Sequence, residues 1–425
     1  MKFTTALGLL FLTSGFVYAK NLDQCQEVRS QIEIGNRMIN CESDEEGNIT
    51  YLGISNFDGV MSEEEFEKIQ SYDTIKEFTY GLFNDGDLSA ISNNDHVFQY
   101  LNNLKNFKNL KKLHLIYDVY DNDCTTTDCT RHYLTNIETG TLKDLNLDLL
   151  DIYGINLSQD NIDEISTMEN LDSIQLDICS FESVKDFSSL SNLKKVTVFS
   201  SIQNFNGKSA NSVPVEFVNQ FKNLKELFLD SSPSLDLKQF TDVENLWIGH
   251  EENISDLKDF KKLRSLKIST DNDLSVLEHI ESLDGLDIYC YPPTYDYDEY
   301  PYQNINITFS DYSKITTLEL QRIRVTDENV DELLKLKNLE YLYFLFCDLS
   351  LLSEENLNNL KELENRISVY FSSCNGVDET VIEYSTDYVT LTEYEEPTEY
   401  VEYIEPTDYI VETDYYTEND EPTDY

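Results

Sequence analysis

The chain has 425 residues, and its 81 acidic residues against 31 lysines and arginines give a formal charge of −50. Hydrophobic residues make up 40% of the sequence, which is enough for a large core and excludes a wholly disordered chain. So acidic a chain is unsuited to nucleic acid or to an anionic membrane, because both ligands attract basic residues.

The N-terminal segment 1–19 has the features of a secretory signal peptide. Lys2 gives a positive start, an apolar run ALGLLFL follows, and Val17 and Ala19 place small residues before a cleavage at Lys20. The apolar run is much shorter than the ~20 residues that a membrane-spanning helix needs. We therefore predict a secreted protein, extracellular or at the cell surface, without membrane insertion. An uncleaved anchor is the alternative.

The eight cysteines, an even number, suit an oxidising compartment. Residues 20–45 are predicted to form an N-terminal cap that contains a disulfide between Cys25 and Cys41. Cys124 and Cys129 bracket the polar loop DCTTTDC and are predicted to close it with a second disulfide. For both pairs, free thiols or another connectivity are the alternative. The sequence leaves open the pairing of Cys179, Cys290, Cys347 and Cys374.

Four Asn-x-Ser/Thr sequons follow the signal-like segment. In a secreted chain each is a candidate for a glycan at the surface, although any single sequon can arise by chance. The acceptor residues are Asn48, Asn156, Asn253 and Asn306.

One spacing pattern recurs through residues 46–375: an apolar residue, two others, an apolar residue, one other, and a further apolar residue. Because alternate residues of a strand point to the same side, each copy predicts a short strand with one apolar face. Stacked copies then form a parallel sheet over a continuous core. Weaker copies begin at Ile49 and Ile75, and a degenerate one lies around Ile367. The good copies begin at Leu110, Leu142, Leu171, Leu193, Leu224, Val243, Leu263, Leu283, Ile315 and Leu339.

This pattern resembles that of leucine-rich repeat proteins. The copies from Leu171 (LDSIQLDICSF) and Leu339 (LEYLYFLFCDL) extend to L-x-x-L-x-L-x-x-C-x-L, with Cys179 and Cys347 at the position usually held by Asn or Cys. Spacings of 19 and 20 residues after Leu224 are similar to the short repeats of internalins. The resemblance implies an α/β leucine-rich repeat solenoid with a parallel sheet on the concave face and an irregular convex side. Most copies lack the family's ladder asparagine, so the backbone groups it would satisfy need other partners.

The longer repeats have room for a helix between strands. Ser62 and Glu65 form a capping-box sequence that predicts a helix start, and Thr326 is predicted to cap a second helix carrying Val330 and Leu333. The 19- and 20-residue repeats lack that room and are expected to cross the convex side in turns or tight extended segments.

In each copy, the residue between the last two apolar positions is predicted to point outward on the concave face. Phe228 and Trp247 should lie side by side there, with Phe199 and Tyr289 flanking them. An exposed aromatic group rimmed by charge is typical of an interface core, and we expect Trp247 to be its energetic centre and Glu319 to contribute much less. A tyrosine-rich loop folded over the group is the alternative. The predicted outward residues are His114, Asn146, Gln175, Thr197, Phe228, Trp247, Lys267, Asp287, Glu319 and Tyr343, and the predicted binding residues are Phe199, Phe228, Trp247, Lys267, Tyr289 and Tyr343.

Residues 376–425 are predicted to form a disordered acidic tail. From Glu383 to Tyr425 there are 15 acidic residues, 9 tyrosines and 8 threonines, with no Lys or Arg, and a unit EPT(E/D)Y occurs three times. Such a segment cannot bury enough apolar surface to offset the entropy of ordering. A solvated spacer and an interaction tail for cationic surfaces are both consistent with it.

Motifs for catalysis are missing from the sequence: there is no H-E-x-x-H, no G-x-S-x-G, no phosphate loop and no cysteine cluster with zinc spacing. We therefore expect no cofactor, no metal and no enzymatic activity. The predicted function is that of a secreted protein that binds a macromolecule, most simply a protein, through the concave face. The first alternative is a structural or adhesive surface protein acting through its acidic tail. A hydrolase with an unrecognised carboxylate pair is the second.

Overall fold

The protein is described by a computed structural model, in which the placed residues begin at Asp23 and end at Gly376. The predicted signal peptide, Cys124, Cys129, Asn253 and the tail after Gly376 lie outside them. The described ranges are 23–32, 37–57, 60–84, 97–98, 100–121, 131–132, 134–201, 204–205, 208–209, 213–229, 235–249, 254–269, 274–290, 302–310 and 313–376.

A single long sheet runs through the described residues, and fourteen of its strands follow one another in chain order. All neighbouring pairs among the fourteen are parallel except β1 with β2, which are antiparallel. The strands are β1 Arg37–Ser43, β2 Ile49–Asn56, β3 Glu77–Asn84, β4 Lys112–Asp121, β5 Leu149–Tyr153, β6 Ser173–Asp177, β7 Val198–Ser201, β8 Glu226–Leu229, β9 Asn245–Gly249, β10 Ser265–Ser269, β11 Gly285–Tyr289, β12 Thr317–Gln321, β13 Tyr341–Leu345 and β14 Ser368–Ser372.

The spacing pattern explains this sheet. In β9, Leu246 and Ile248 are almost fully buried, and pairing places them beside the equivalent apolar residues of β10. Repetition of this contact from strand to strand makes one apolar core that extends from Cys25 to Ile367. The chain is therefore a leucine-rich repeat solenoid with a parallel sheet, as predicted.

Helices and tight turns connect the strands behind the core. Ser62 caps α2 in a capping box with Glu65, and Thr326 caps α5 in a capping box with Asn329, so both predicted helix starts are confirmed. The short repeats use single 3₁₀ helices instead, at Leu237–Phe240, Ile254–Asp259 and Ser275–His279. The α-helices are α1 Gln24–Ile32, α2 Glu63–Ile69, α3 Gln159–Ile165, α4 Val215–Val218, α5 Asp327–Leu333 and α6 Glu354–Leu363.

Other elements are short. None of the helices within the described ranges has the length and apolar character to cross a membrane. Two further 3₁₀ helices span Leu101–Asn106 and Ser188–Asn192. Short strands outside the fourteen are Arg131–His132, Thr135–Asn136, Ile155–Ser158, Ser180–Ser183, Asn204–Phe205, Lys208–Ser209, Gln303–Asn304 and Ile323–Arg324.

The N-terminal end of the sheet carries a disulfide. Cys25 in α1 and Cys41 in β1 are bonded, as predicted, with their Cα atoms 5.6 Å apart. Val28 and Ile32 of α1 are fully buried, so the helix closes the first end of the apolar core. The bond ties α1 to an antiparallel strand, which gives the solenoid a covalent clamp at this end.

Cysteine thiols partly replace the missing asparagine ladder. Cys179 donates to the carbonyl oxygen of Ile152 at 3.5 Å, and Cys347 donates to that of Leu320 at 3.0 Å. Both thiols are buried, and each reaches a strand of the preceding repeat, where it satisfies a carbonyl group. Burial also raises the pKa of the Cys179 thiol, so it is held as a neutral donor.

Two copies of the repeat use a different frame from the predicted one. The strand expected at Leu142–Leu147 starts at Leu149, so the copy reads Leu147-x-x-Leu150-x-Ile152. The copy expected from Leu193 starts at Val196 instead, three residues later, because Phe199, and not Val198, faces the core. In both places the sequence fits two frames, and pairing with the neighbouring strands selects one of them.

Candidate binding face

A row of side chains crosses the open face of the sheet, the face opposite the buried leucines. In each strand the residue between the two buried apolar positions points to this side, and strand pairing sets these residues in register. Neighbouring strands lie ~4.8 Å apart, so consecutive members of the row are within reach of each other. We call it the central row, and from β2 to β14 it consists of Gly53, Thr79, His114, Asp151, Gln175, Ser200, Phe228, Trp247, Lys267, Asp287, Glu319, Tyr343 and Tyr370.

Two predicted members of this row are wrong. Asn146 lies in the turn before β5, and its place is taken by Asp151, which pairs with His114. Thr197 precedes β7, and its place is taken by Ser200. Both errors follow from the frame shifts in these two copies of the repeat.

Phe199 is also not part of the open face, so its predicted exposure is wrong. Its side chain is fully buried, with its ring centroid 5.3 Å from that of Phe217 and 5.7 Å from that of Phe221. The three rings fill the core between β7 and the segment that contains α4. A large aromatic ring gains more from this burial than the neighbouring valine would, which fixes the strand register.

The aromatic centre of the face is Phe228 next to Trp247. These residues are direct partners in the pairing of β8 with β9, which confirms that they lie side by side, and both are half-buried. The ammonium group of Lys267 lies 4.5 Å from the Trp247 ring centroid, the geometry of a cation–π contact. These three side chains form a patch that is apolar in its middle and positively charged at one edge.

Tyr289 supports Trp247 from the neighbouring row. Its side chain is only 3% exposed, so the prediction that it flanks the patch as an exposed ring is wrong. Its hydroxyl accepts a hydrogen bond from the indole N–H of Trp247, and its ring lies 5.4 Å from the Lys267 ammonium group. Tyr289 therefore fixes the orientation of Trp247 from the side and offers little surface of its own.

A charged group, which we call the C-terminal cluster, adjoins the aromatic patch. It consists of Lys267, Asp287 and Glu319 on the adjacent strands β10, β11 and β12. Lys267 Nζ lies 3.2 Å from Asp287 Oδ2, whereas Asp287 Oδ1 is buried and accepts no hydrogen bond from the described residues. Burial raises the pKa of Asp287, and Lys267 offsets only part of this. Burial, followed by repulsion from Asp287, raises the pKa of Glu319 to about 7.

Two stacked tyrosines border the C-terminal cluster. The rings of Tyr343 on β13 and Tyr370 on β14 are 4.9 Å apart between centroids and within 9° of parallel. Tyr343 is the strand partner of Glu319, so an aromatic wall stands directly beside that carboxylate. The predicted residue Tyr343 therefore lies on the open face, but at a distance of several strands from Trp247.

A second charged group, the N-terminal cluster, occupies the other end of the row. It consists of Glu77 on β3, Lys112 and His114 on β4, and Asp151 on β5. His114 Nδ1 donates to Asp151 Oδ2 at 2.9 Å, and Lys112 Nζ lies 3.1 Å from Glu77 Oε2. His114 Nε2 lies 3.5 Å from Glu77 Oε1, an ion-pair distance without hydrogen-bond alignment.

The histidine of the N-terminal cluster is protonated at neutral pH. Burial alone would lower the pKa of His114, but the hydrogen bond to Asp151 and the negative charges of Asp151 and Glu77 raise it to about 9. The pKa of Glu77 is in turn lowered, because His114 and Lys112 outweigh its burial. The N-terminal cluster therefore holds an imidazolium ion between two carboxylates.

Sequence reasoning placed Asp287 and Glu319 on the face but did not single them out. With 81 acidic residues in the chain, no pattern marks these carboxylates as unusual. The repeat pattern shows only that both residues occupy consecutive outward positions after Lys267. Burial decides their chemistry, and the sequence does not reveal it.

Three predicted glycan acceptors lie within the described residues. Asn306 is exposed, while Asn48 and Asn156 are partly buried. Asn48 Nδ2 donates to both carboxylate oxygens of Asp44, at 3.2 and 3.1 Å. Glycosylation of these residues stays a prediction.

Comparisons with known proteins find similar solved structures but no related sequence. No protein-family model matches the sequence, and no curated protein matches it. An internalin of Listeria monocytogenes is similar in structure, with 15% identity, a TM-score of 0.46, and coverage of 82% of this chain and 94% of that one. A leucine-rich repeat protein of Leptospira interrogans has 14% identity, a TM-score of 0.32, and coverage of 73% and 92%. The solenoid assignment follows from the strands and register of this chain.

Proposed function

We propose that this chain is a secreted, non-enzymatic protein that binds a protein partner through the open face of its solenoid. The observation that carries the proposal is the patch of Phe228, Trp247 and Lys267. It lies on three adjacent strands near the middle of the sheet, and all three side chains are half-buried. Large aromatic residues beside charged ones, presented on a rigid surface, are what the energetic centre of a protein interface consists of.

The rigidity of the patch supports this function. Trp247 is oriented by its hydrogen bond to Tyr289 and by the Lys267 ammonium group, so its ring loses little conformational freedom when a partner binds. A partner that covers the ring gains the area that the half-buried side chain still exposes. The binding surface is therefore preorganised in the free protein.

Extracellular location is part of the proposal. The Cys25–Cys41 disulfide supports an oxidising compartment, and the segment 1–19 has the sequence of a signal peptide. The same compartment suits the proposed Cys124–Cys129 disulfide and the proposed glycans. The formal charge of −50 makes a protein partner with basic groups a better match than nucleic acid.

Truncation of Trp247 tests the proposal. The mature chain is used to capture partners from the native extracellular fluid, and the affinity of a captured, purified partner is then measured by calorimetry. Trp247→Ala should weaken binding about thirtyfold, since a central aromatic contributes ~2 kcal/mol. The matched control is Leu351→Ala, which removes a 64% exposed apolar side chain outside the sheet and should leave affinity unchanged.

A second variant separates binding from stability. Trp247→Ala also removes the hydrogen bond to Tyr289, so thermal unfolding must be measured alongside affinity. Trp247→Phe keeps an aromatic ring but loses the indole donor, and it should weaken binding less than the alanine variant. Unchanged affinity in both folded variants would overturn the open-face proposal.

Deletion of residues 376–425 distinguishes the proposal from action through the acidic tail. A partner bound by the open face should retain its affinity for the truncated chain. If deletion of residues 376–425 abolishes binding while Trp247→Ala still binds the partner, the contact lies in the tail. That result would support a structural or adhesive role.

A further inference from the structure

We infer that the C-terminal cluster is a subsite for an arginine side chain of the partner, which inserts between Asp287 and Glu319 against the ring of Tyr343. The inference rests on the proposed binding function and names the chemical group that the open face recognises. Three observations carry it: the charge balance, an unpartnered oxygen and the aromatic ring of Tyr343.

The first observation is a charge imbalance. In the described residues of the cluster, the single ammonium group of Lys267 faces the two carboxylates of Asp287 and Glu319. When both carboxylates are ionised, the cluster carries one uncompensated negative charge in a partly buried place, which is unfavourable. A cation from outside neutralises it.

The second observation is the unpartnered oxygen of Asp287. The residue is only 8% exposed, and its Oδ1 accepts no hydrogen bond from any described residue. A buried carboxylate oxygen without a donor has lost its hydration without compensation. Guanidinium is well suited to this position, because its five N–H groups can serve two carboxylates at once. Glu319 is half-buried on the adjacent strand, so its side chain has to change rotamer for the guanidinium to reach Asp287.

The third observation selects arginine over lysine. Tyr343 borders Glu319, and its ring is held in place by stacking on Tyr370. A planar guanidinium stacks on an aromatic ring while its edge binds a carboxylate, whereas an ammonium group cannot do both with the same geometry. The side of the cluster toward Trp247 is already occupied by Lys267, so the open side is the one that Tyr343 lines.

The protonation of Glu319 makes the subsite sensitive to pH. The groups that face Glu319 are Asp287 and Lys267 on one side and Tyr343 on the other. Burial, followed by repulsion from Asp287, raises the pKa of Glu319 to about 7, and attraction from Lys267 offsets part of this rise. An arginine binds the ionised carboxylate, so it lowers this pKa and binds more weakly as the carboxylate is protonated. If only the ionised form binds, affinity falls about tenfold for each pH unit below 7.

The test uses N-acetylarginine amide as the probe and the fluorescence of Trp247 as the readout. Trp247 is the only tryptophan of the chain, and its ring contacts the same Lys267 that pairs with Asp287. A cation entering the cluster changes the charge beside Lys267 and thereby this fluorescence. At pH 8 and constant ionic strength, we expect a saturable change with a dissociation constant of about 1 mM, and about tenfold weaker binding at pH 6.

Two variants with equal changes in charge serve as test and control. Asp287→Asn with Glu319→Gln should abolish the arginine response. Asp331→Asn with Glu355→Gln removes two exposed carboxylates on α5 and α6 and should leave it intact. The subsite is overturned if the wild type gives no saturable response, or if the Asp287/Glu319 variant responds equally. Equal affinity for N-acetyllysine amide or N-acetylalanine amide would also overturn it.

Partner binding then separates this inference from the proposed function. Loss of the captured partner in both Trp247→Ala and the Asp287/Glu319 variant supports the two proposals together. If Trp247→Ala loses the partner and the Asp287/Glu319 variant retains it, only the arginine subsite is overturned. If both variants retain it, the open-face function fails, while the probe titration still decides whether the cluster accepts arginine.

Discussion

The two charged clusters lie toward opposite ends of the open face and differ in charge balance. The N-terminal cluster pairs Lys112 and protonated His114 with two carboxylates, and each cation lies within about 3 Å of a carboxylate oxygen. The C-terminal cluster has one cation for two carboxylates and a buried oxygen without a hydrogen bond. The same architecture therefore holds one neutral group and one group with an excess negative charge.

This difference indicates a division of labour along the face. A buried ion pair with good geometry contributes mainly by avoiding the cost of an unpaired charge, so the N-terminal cluster is expected to be necessary for stability. The C-terminal cluster carries such a cost in the unbound protein. An uncompensated buried charge destabilises the unbound protein, but binding of a ligand can remove this penalty. Functional sites are often destabilising for this reason.

The largest expected effect comes from removing the corresponding aspartate of each cluster. Asp151→Ala leaves His114 buried beside a single carboxylate and should lower the free energy of unfolding by about 3–5 kcal/mol. Asp287→Ala removes a carboxylate that is already poorly compensated, and Lys267, whose side chain is 38% exposed, stays solvated. Asp287→Ala should therefore lower the free energy of unfolding by less than about 1 kcal/mol. Urea denaturation of both variants measures the difference, and equal losses would contradict the division of labour.

Part of this comparison was accessible from sequence. The repeat spacing predicts the strands, and the outward positions of Phe228, Trp247 and Lys267 follow from it directly. Where leucines occur at several overlapping spacings, as between Leu142 and Ile152, the sequence fits more than one frame. Strand pairing resolves the choice, and pairing is a tertiary interaction that a local pattern does not contain.

The remaining errors concern burial and partners. Phe199 was expected outside because its frame was shifted, and Tyr289 was expected exposed because its position in the strand does not reveal that its hydroxyl reaches Trp247. The pairing of His114 with Asp151 was missed for the same reason, since the predicted neighbour of His114 was Asn146. The type of a residue and its position in the strand predict the face of the sheet on which its side chain lies. The groups that the side chain contacts depend on the residues of the neighbouring strands.

The next largest effect is an alkaline loss of stability at the N-terminal cluster. The pKa of His114 is about 9 in the folded chain against 6.5 for an ordinary histidine, so the folded state binds this proton more tightly. Its contribution is complete below pH 6.5 and disappears as the pH rises through about 9. A shift of this size corresponds to about 3 kcal/mol.

His114→Gln measures that contribution. The difference in unfolding free energy between the wild type and this variant should shrink by about 3 kcal/mol between pH 6 and pH 9.5. Chemical denaturation at a series of pH values gives the difference. A difference that is constant over this range would mean that the imidazolium of His114 does not hold the cluster together.

The smallest effect is a loss of stability with rising pH at the C-terminal cluster, over a lower range of pH than at the N-terminal cluster. The pKa of Glu319 is about 7 in the folded chain against 4.5 for an ordinary glutamate, so the folded state again binds the proton more tightly. The stability that Glu319 contributes is therefore complete below pH 4.5. It is lost as the pH rises through about 7 and the carboxylate ionises. Because the group is only partly buried, solvent screening reduces the loss to about 1 kcal/mol.

Glu319→Gln removes this titration, so the stability of the variant relative to the wild type should rise by about 1 kcal/mol between pH 4.5 and pH 8. Saturating N-acetylarginine amide should abolish the same fall in the wild type, because it binds the ionised carboxylate and restores an ordinary pKa. The N-terminal cluster supplies the internal control, since His114→Gln should alter neither the fall nor the response to arginine. If the probe leaves the pH dependence of the wild type unchanged, the excess negative charge of the C-terminal cluster is not a recognition feature, and the two clusters differ in stability alone.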